Sequence, residues 1–349
     1  MTHRTLLPVL GLTLAACRPD FADVDEACKD KVKGEKHAST ESGDFFRRLA
    51  CYRRYAGVEQ PRVDKKVTIA TEAHVDWLDA NLETATNWFE EDQGTPLYYG
   101  ASVFDRLDRA EFNIDIASSL VWQVFMPVTE NRTRSENVDL LIHDPHYRDP
   151  LLAPGWYGGG YDEGKDLFLG VAYSVWVLDL PSGTHTGKPV FWPVDGDTDV
   201  PPEVNVWRPG DGYDAKLRGY PISMTFGSSE ILGIGRDNAL AVSVISSVIT
   251  ADDGTVVEHD VELPSSSDWG DNNSTVILWP ADALQPSTTY TVDTEVSWVT
   301  TPHKKFSWSF TTTSEPVTDV LWAARSAPPP GGRVHVRALD RSITPTTPR

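Results

Sequence analysis

Over residues 190–313 the sequence holds no convincing helical period, and this constrains the fold more than any other feature of the chain. Short alternating runs follow one another, separated by clusters of Gly, Pro, Asp, Asn and Ser. Phe306, Trp308 and Phe310 alternate with Ser307, Ser309 and Thr311. Successive side chains of a strand point to opposite faces, so this spacing lines one face with aromatic rings for burial and the other with hydroxyls. Residues 289–298 (TYTVDTEVSW) alternate likewise, and 251–256 (ADDGTV) carry the residues of a hairpin turn. An all-β sandwich of antiparallel strands is therefore expected over 190–313. Residues 194–200 (VDGDTDV) space their oxygens like a calcium loop, but the closing bidentate Glu is missing and the stretch reads as the opening turn.

Upstream, over 42–180, helical and strand patterns are mixed. Phe45, Phe46, Leu49, Tyr52 and Ala56 recur at helical spacing, and Gly57 stands where a C-terminal cap belongs. A second helix runs through Val67, Ala70, His74, Trp77, Leu78 and Asn81. His74 lies on its apolar stripe and reads as a packed, satisfied histidine rather than a ligand. Ser102 with Asp105, and Thr133 with Glu136, have the spacing of capping boxes, so two more helices should start there. Residues 118–126 and 167–180 are rich in β-branched and aromatic residues and read as strands. Regular crossover units are too few for a doubly wound sheet, which leaves an α+β sandwich, with 181–189 as the linker to the second domain.

At 349 residues, two domains plus peripheral segments are expected. A formal charge of -20 opposes nucleic acid and polybasic membrane binding. The N-terminus has the layout of an export signal: Arg4, an apolar run from Leu6 to Leu14, and small residues before a cysteine. Leu14-Ala15-Ala16-Cys17 resembles the lipobox of bacterial lipoproteins, which implies removal of residues 1–16, acylation of Cys17 and a lipid anchor in the cell envelope. Arg18, by resemblance to lipoprotein sorting rules, points to the outer membrane. Lipidation of Cys17 leaves Cys28 and Cys51 as an even pair in an oxidising compartment, where a disulfide is expected. Residues 17–41 read as a polar tether, and 314–349, with APPPGG and TPTTPR, as a flexible Pro-rich tail.

The segment from Ala50 to Val177 resembles the bacterial branch of the CAP superfamily, the cysteine-rich secretory protein, antigen 5 and pathogenesis-related group. The matching positions are Arg53 and Gly57, Glu90 and Glu91, Tyr99 and Gly100, Asp105 and Arg106, Arg148, Leu151, Leu152 and Pro154, and Gly158 and Gly160. The resemblance implies an α-β-α sandwich whose cleft histidines and carboxylates bind a divalent cation. Here Phe89 stands where the first cleft histidine is expected, Tyr147 replaces the second, and the early strand's glutamate falls near Leu120. Phe and Leu supply no metal ligand, so a degenerate cleft is expected, built from Phe89, Glu90, Glu91, His146, Tyr147 and Arg148. The later half resembles bacterial Ig-like modules, and Leu284, Pro286 and Tyr290 have the spacing of their tyrosine corner.

The densest chemistry is IHDPHYRDPLL, residues 142–152. His143 and His146 share a face only on a helix, and Pro145 disfavours helix at Asp144, so a metal site is not expected there. Asp144 and Asp149 read as turn caps, and Arg148 as the partner of a carboxylate. Glu90 and Glu91 in FEED read as a solvated loop. Gly-x-Ser-x-Gly, Walker, His-Glu-x-x-His and dinucleotide patterns are all missing from the sequence. The expectation is a lipid-anchored envelope protein with no catalytic residue, no metal and no cofactor, which binds cell-wall glycan, lipid or an envelope protein. The alternative is a hydrolase or metal-dependent enzyme using Glu90, Glu91 and His146.

Overall fold

Helix α1 (Thr40–Tyr55) starts where the Ser39 hydroxyl accepts from the Ser42 amide at 3.1 Å. It ends at Ala56, with Gly57 at φ 72°. Val58 N–H then reaches the Arg53 carbonyl at 2.9 Å and Gly57 N–H the Arg54 carbonyl at 3.0 Å, the paired bonds of a Schellman stop. Helix α2 (Lys65–Asn81) follows, then α3 (Val103–Arg109) and α4 (Arg134–His143), the last two opened by complete capping boxes at Ser102 and Thr133. These are the helices expected from spacing. The computed structural model describes residues 14–15, 21–81, 83–85, 88–112, 119–127, 133–164, 169–177, 188–206, 216–226, 242–264, 275–298, 301–314 and 334–336.

A further helix, α5 (Pro145–Leu152), runs through the stretch whose Asp144 and Asp149 are expected to cap turns: Asp144 does cap it, while Asp149 lies inside it. Asp144 is its N-cap, accepting from the His146 amide at 3.0 Å, and Pro145 occupies the first helical position, where no amide donor is required. The proline that ends α4 also starts α5.

The helices flank an antiparallel sheet ordered Val334–Val336, Ser119–Pro127, Leu169–Val177, Trp156–Glu163. Neighbouring residues of the last strand show that both faces are covered. Tyr161 stacks on Phe45 of α1 at 4.4 Å. Gly160 turns the other way, where a Cβ would lie 2.6 Å from the Thr71 hydroxyl and 2.8 Å from the Thr68 backbone, so α2 seats directly on the glycine. Helices α1, α4 and α5 share one buried cluster with Tyr161, while α2 and α3 share another with Val121 and Val171.

The second half is all β. One sheet comprises Val256–Val257, Val242–Ala251, Thr289–Trp298 and Thr301–Thr312, with Asp197–Val200 parallel to the last. The other comprises His259–Glu262, Thr275–Pro280, Ile222–Thr225 and Val190–Trp192. Phe306, Trp308 and Phe310 are buried as the alternation predicts, and Phe191 of the facing sheet lies 4.5 Å from Trp308 and 5.3 Å from Phe306. The Tyr290 hydroxyl accepts from the Gln285 amide at 2.7 Å, and the 251–256 turn closes with the Ala251 amide on the Thr255 carbonyl at 2.8 Å. Asp195 accepts from the Ser309 amide at 2.9 Å, so its stretch serves as the expected turn.

The inner strands Thr275–Pro280 and Ile222–Thr225 are buried at every position. One of their faces meets the first sheet, where Thr294 Oγ1 lies 3.5 Å from Met224 Sδ; the other meets α5. Accordingly a single buried apolar cluster runs from α1, α4 and α5 through Trp192 and Tyr220 into the sandwich. The fold is thus α+β, with its two halves sharing a core.

Parts of two segments read as loose pack or pair with the body. Of the expected tether 17–41, residues from Phe21 onward pack on the body: Ala27 is fully buried, the Arg54 guanidinium lies 4.7 Å over the Phe21 ring, and Cys28 is disulfide-bonded to Cys51. Within the expected tail 314–349, Val334–Val336 pairs with residues 122–124 as a sheet edge. Cys17, the 181–187 part of the linker and the rest of the tail lie outside the described residues, as does the signal segment apart from Leu14 and Ala15, which pair in parallel with Phe306 and Ser307. No helix among the described residues is long and apolar enough to cross a membrane.

Candidate functional site

Helix α5 turns the polar side chains of the 142–152 run onto the sandwich. Arg148, 1% exposed, donates to the Ile142 carbonyl at 2.9 Å, the Pro221 carbonyl at 3.0 Å and the Ser223 hydroxyl at 3.1 Å. Burial lowers its guanidinium to about 10, which leaves it charged at neutral pH. Beside these carbonyls and the hydroxyl, the negative charges of Asp144 and Asp149 favour its charged form, so the expected carboxylates do act on it. Asp149 accepts from the Thr275 hydroxyl. His146 Nε2 lies 3.0 Å from Glu262 Oε1, and its ring faces Trp279 at 6.0 Å. Burial would push this imidazole down, but Glu262 and Asp144 reverse the effect and raise it to about 9, so His146 is a cation in a buried ion pair. His143, at the end of α4, meets the Tyr220 hydroxyl at 3.0 Å, and burial followed by the charge of Arg148 lowers it to about 4. The run is a clamp between the two halves.

A second buried polar group lies on the other face of the sheet. His74 Nδ1 is 3.0 Å from Glu91 Oε1, and its Nε2 is 2.9 Å from the Trp88 carbonyl and 3.0 Å from the Gln123 amide nitrogen. Glu91 also accepts from the amides of Tyr99 at 2.6 Å and Gly100 at 3.1 Å, and Arg106 donates to the carbonyls of Gly100 and Phe89 and to Gln123. Burial, reinforced by Arg106, pushes His74 down to about 4. Burial works against the Glu91 charge, yet the His74 bond and Arg106 outweigh it and hold the carboxyl below its usual range. The side chains of His74, Glu91 and Arg106 are fully buried, so no substrate reaches them; the network pins the 88–101 loop between α2 and α3. This corrects the solvated-loop reading for Glu91, though Glu90 is exposed. The satisfied histidine on α2 was legible, whereas its pairing with Glu91, 17 positions away across an irregular loop, was not.

The expected cleft set is not brought together. Phe89 is buried with α2 and α3, Tyr147 in the cluster of α1, α4 and α5, and His146 and Arg148 against the sandwich. Leu120 is paired opposite Trp176. A hydrolase built on Glu90, Glu91 and His146 therefore lacks its geometry, because Glu91 and His146 have separate partners on opposite faces of the sheet.

A cavity of about 610 Å³ lies elsewhere, at the junction of the N-terminal segment, α1, α4 and the sandwich. Five aspartates line it: Asp23, Asp25, Asp139, Asp197 and Asp199. Tyr52, Tyr55, Trp192 and Tyr220 give it aromatic walls. Tyr52 and Trp192 contact each other across the two halves at 5.6 Å, and Trp192 Nε1 donates to the Tyr220 hydroxyl at 2.9 Å. Asp197 is buried; its carboxyl is lifted to about 6 by burial while it accepts from the Asp199 amide and the Tyr55 hydroxyl. Among the described residues the one lysine or arginine in the lining is Arg48, bound to Asp25 and Asp139 and lying 5.0 Å over the Tyr52 ring. Among the described residues no three His, Cys, Asp or Glu side chains form a metal-ligand group.

No family model and no curated protein matches the chain. Among solved structures, the copper resistance protein PcoC from Escherichia coli is 14% identical with a TM-score of 0.22, covering 35% of this chain and 95% of its own. CopC from Methylosinus trichosporium OB3b is 15% identical with a TM-score of 0.23, covering 37% of this chain and 93% of its own. Self-complemented MyfA, the major subunit of Myf fimbriae from Yersinia enterocolitica, in complex with galactose, is 16% identical with a TM-score of 0.18, covering 35% and 90%.

Proposed function

We propose that the chain is a lipid-anchored protein of the bacterial envelope whose buried histidines serve the structure, and that it binds a ligand in the cleft between its halves without turning it over. The anchor rests on Leu14-Ala15-Ala16-Cys17 and the signal layout before it, with Arg18 favouring the outer membrane. The helix-flanked sheet is read as a divergent CAP-like domain and the sandwich as an Ig-like module. Cell-wall glycan, envelope lipid or an envelope protein would carry the bound group.

One observation carries the binding reading. The polar groups that a cleft enzyme of this build would use are consumed by the interface and by the loop network, while a concave, aromatic and acidic space opens where the halves meet. Function is argued from that site and not from the fold. The test is to incubate the full chain with wall glycan fragments, lipid vesicles and envelope extract, and to follow ligand signals by NMR beside the Asp23→Lys/Asp199→Lys variant. The reading expects a ligand that binds the parent protein, is lost in the variant and is recovered chemically unchanged. Recovery of a cleaved or modified product, or binding indifferent to the variant, overturns it.

A further inference from the structure

The lining of the junction cleft is unbalanced in charge. Among the described residues, one guanidinium stands against its five aspartates, that of Arg48, already held by Asp25 and Asp139. His143 is neutral above about 4, so it adds no cation at neutral pH. Asp23, Asp199 and the buried Asp197 are left facing a space walled by tyrosine and tryptophan rings. Carboxylates around low-dielectric walls focus a negative potential into the cleft, and ring faces attract cations within about 6 Å. Arg48 shows the cleft using both means on one of its own groups: its guanidinium sits 5.0 Å over the Tyr52 ring with aspartates on either side.

We propose that this cleft binds an organic cation, an alkylammonium or guanidinium group, seated between the Tyr55 and Trp192 side of the wall and the Asp23 and Asp199 rim. The inference rests on the reading of the junction cleft as the ligand-binding face and names the class of ligand. Two features favour an organic cation over a metal ion. The carboxylates are spread around the space rather than gathered into a ligand set. The volume of about 610 Å³ exceeds what an ion needs and suits a small amine or the end of a basic side chain. The cationic group can come from a free small amine or from a lysine or arginine of a polypeptide.

The experiment uses the full chain in a non-ionic detergent, since zwitterionic detergents carry a competing ammonium group. Butylamine, tetramethylammonium, arginine amide and a lysine-containing tripeptide are titrated by calorimetry at low salt, with a chitin trisaccharide and inorganic phosphate as the other arms. Asp23→Lys/Asp199→Lys is the site variant; both positions are exposed, so its melting temperature should match the parent's. The proposal expects the cationic probes to bind, to weaken with added salt, and to weaken roughly tenfold or more in the variant. Tighter binding of the tripeptide than of the free amines identifies a polypeptide source, and the reverse a small-molecule source. If the trisaccharide or phosphate binds in a variant-sensitive way and the cations do not, the cation inference fails and the cleft reading survives. If no probe distinguishes the variant from the parent, both fail.

Discussion

Raising the pH should loosen the joint between the two halves through His146. Its imidazole, 3.0 Å from Glu262, is held at about 9 in the folded protein. The unfolded chain returns it to about 6.5. Because the folded value lies above the unfolded one, the stabilisation is fully present below pH 6.5 and is lost as pH rises through 9. The gap between those values corresponds to about 3 kcal/mol, at about 1.4 kcal/mol per pH unit. The described groups whose values are shifted by folding act mainly outside the window from about pH 7.5 to 9.5. His74 and His143, held near 4, add stability as pH rises through 6.5 and have finished by the start of it. Asp162 and Asp197, lifted to about 6, lose theirs below it, and the tyrosines raised by burial act only above about pH 10. The assay is urea unfolding of the full chain at half-unit pH steps, beside Glu262→Gln. The parent should lose about 2 kcal/mol across the window, and the variant, left with Asp144 alone, roughly half of that or less. A flat profile in the parent, or an equal slope in the variant, refutes the reasoning.

Arg148→Met removes three donors from buried acceptors and should cost about 3–5 kcal/mol, read from the urea midpoint. Gly160→Ala drives a methyl into the Thr68 backbone of α2 and should cost about 1–3 kcal/mol, seen as a lower melting temperature. Replacing Cys28 and Cys51 together by serine opens a loop spanning 23 positions and should cost about 3 kcal/mol, with no further loss when reductant is added.

Elements whose signals are local were legible in the sequence. The capping boxes at Ser102 and Thr133, the Gly57 stop and the Phe306, Trp308 and Phe310 alternation each depend on residues a few positions apart, and each appears where spacing put it. The Cys28–Cys51 bridge followed from counting. Helix α5 was missed because Pro145 was weighed as a helix breaker, although Asp-Pro is also how a helix begins. The candidate site was hardly legible. Glu262 and Thr275 lie 116 and 126 positions from their partners His146 and Asp149, so nothing in the 142–152 run announces an interface. The cleft is likewise assembled from six separate stretches of chain, and its aspartates look like ordinary surface charge one at a time. The packing of residues 21–38 escaped notice because a few buried anchors, Ala27 and Val32 among them, hold an otherwise polar stretch.

The central claim is that the polar residues of α5 weld the helical half to the sandwich. Native-state hydrogen exchange tests it most directly, by comparing opening free energies for the amides of α5 with those of Thr275–Pro280. The account predicts one shared value, close to that of global unfolding, which falls together in both segments in Arg148→Met. Amides of α5 that exchange through a separate, lower-energy opening while Thr275–Pro280 stays protected would contradict it.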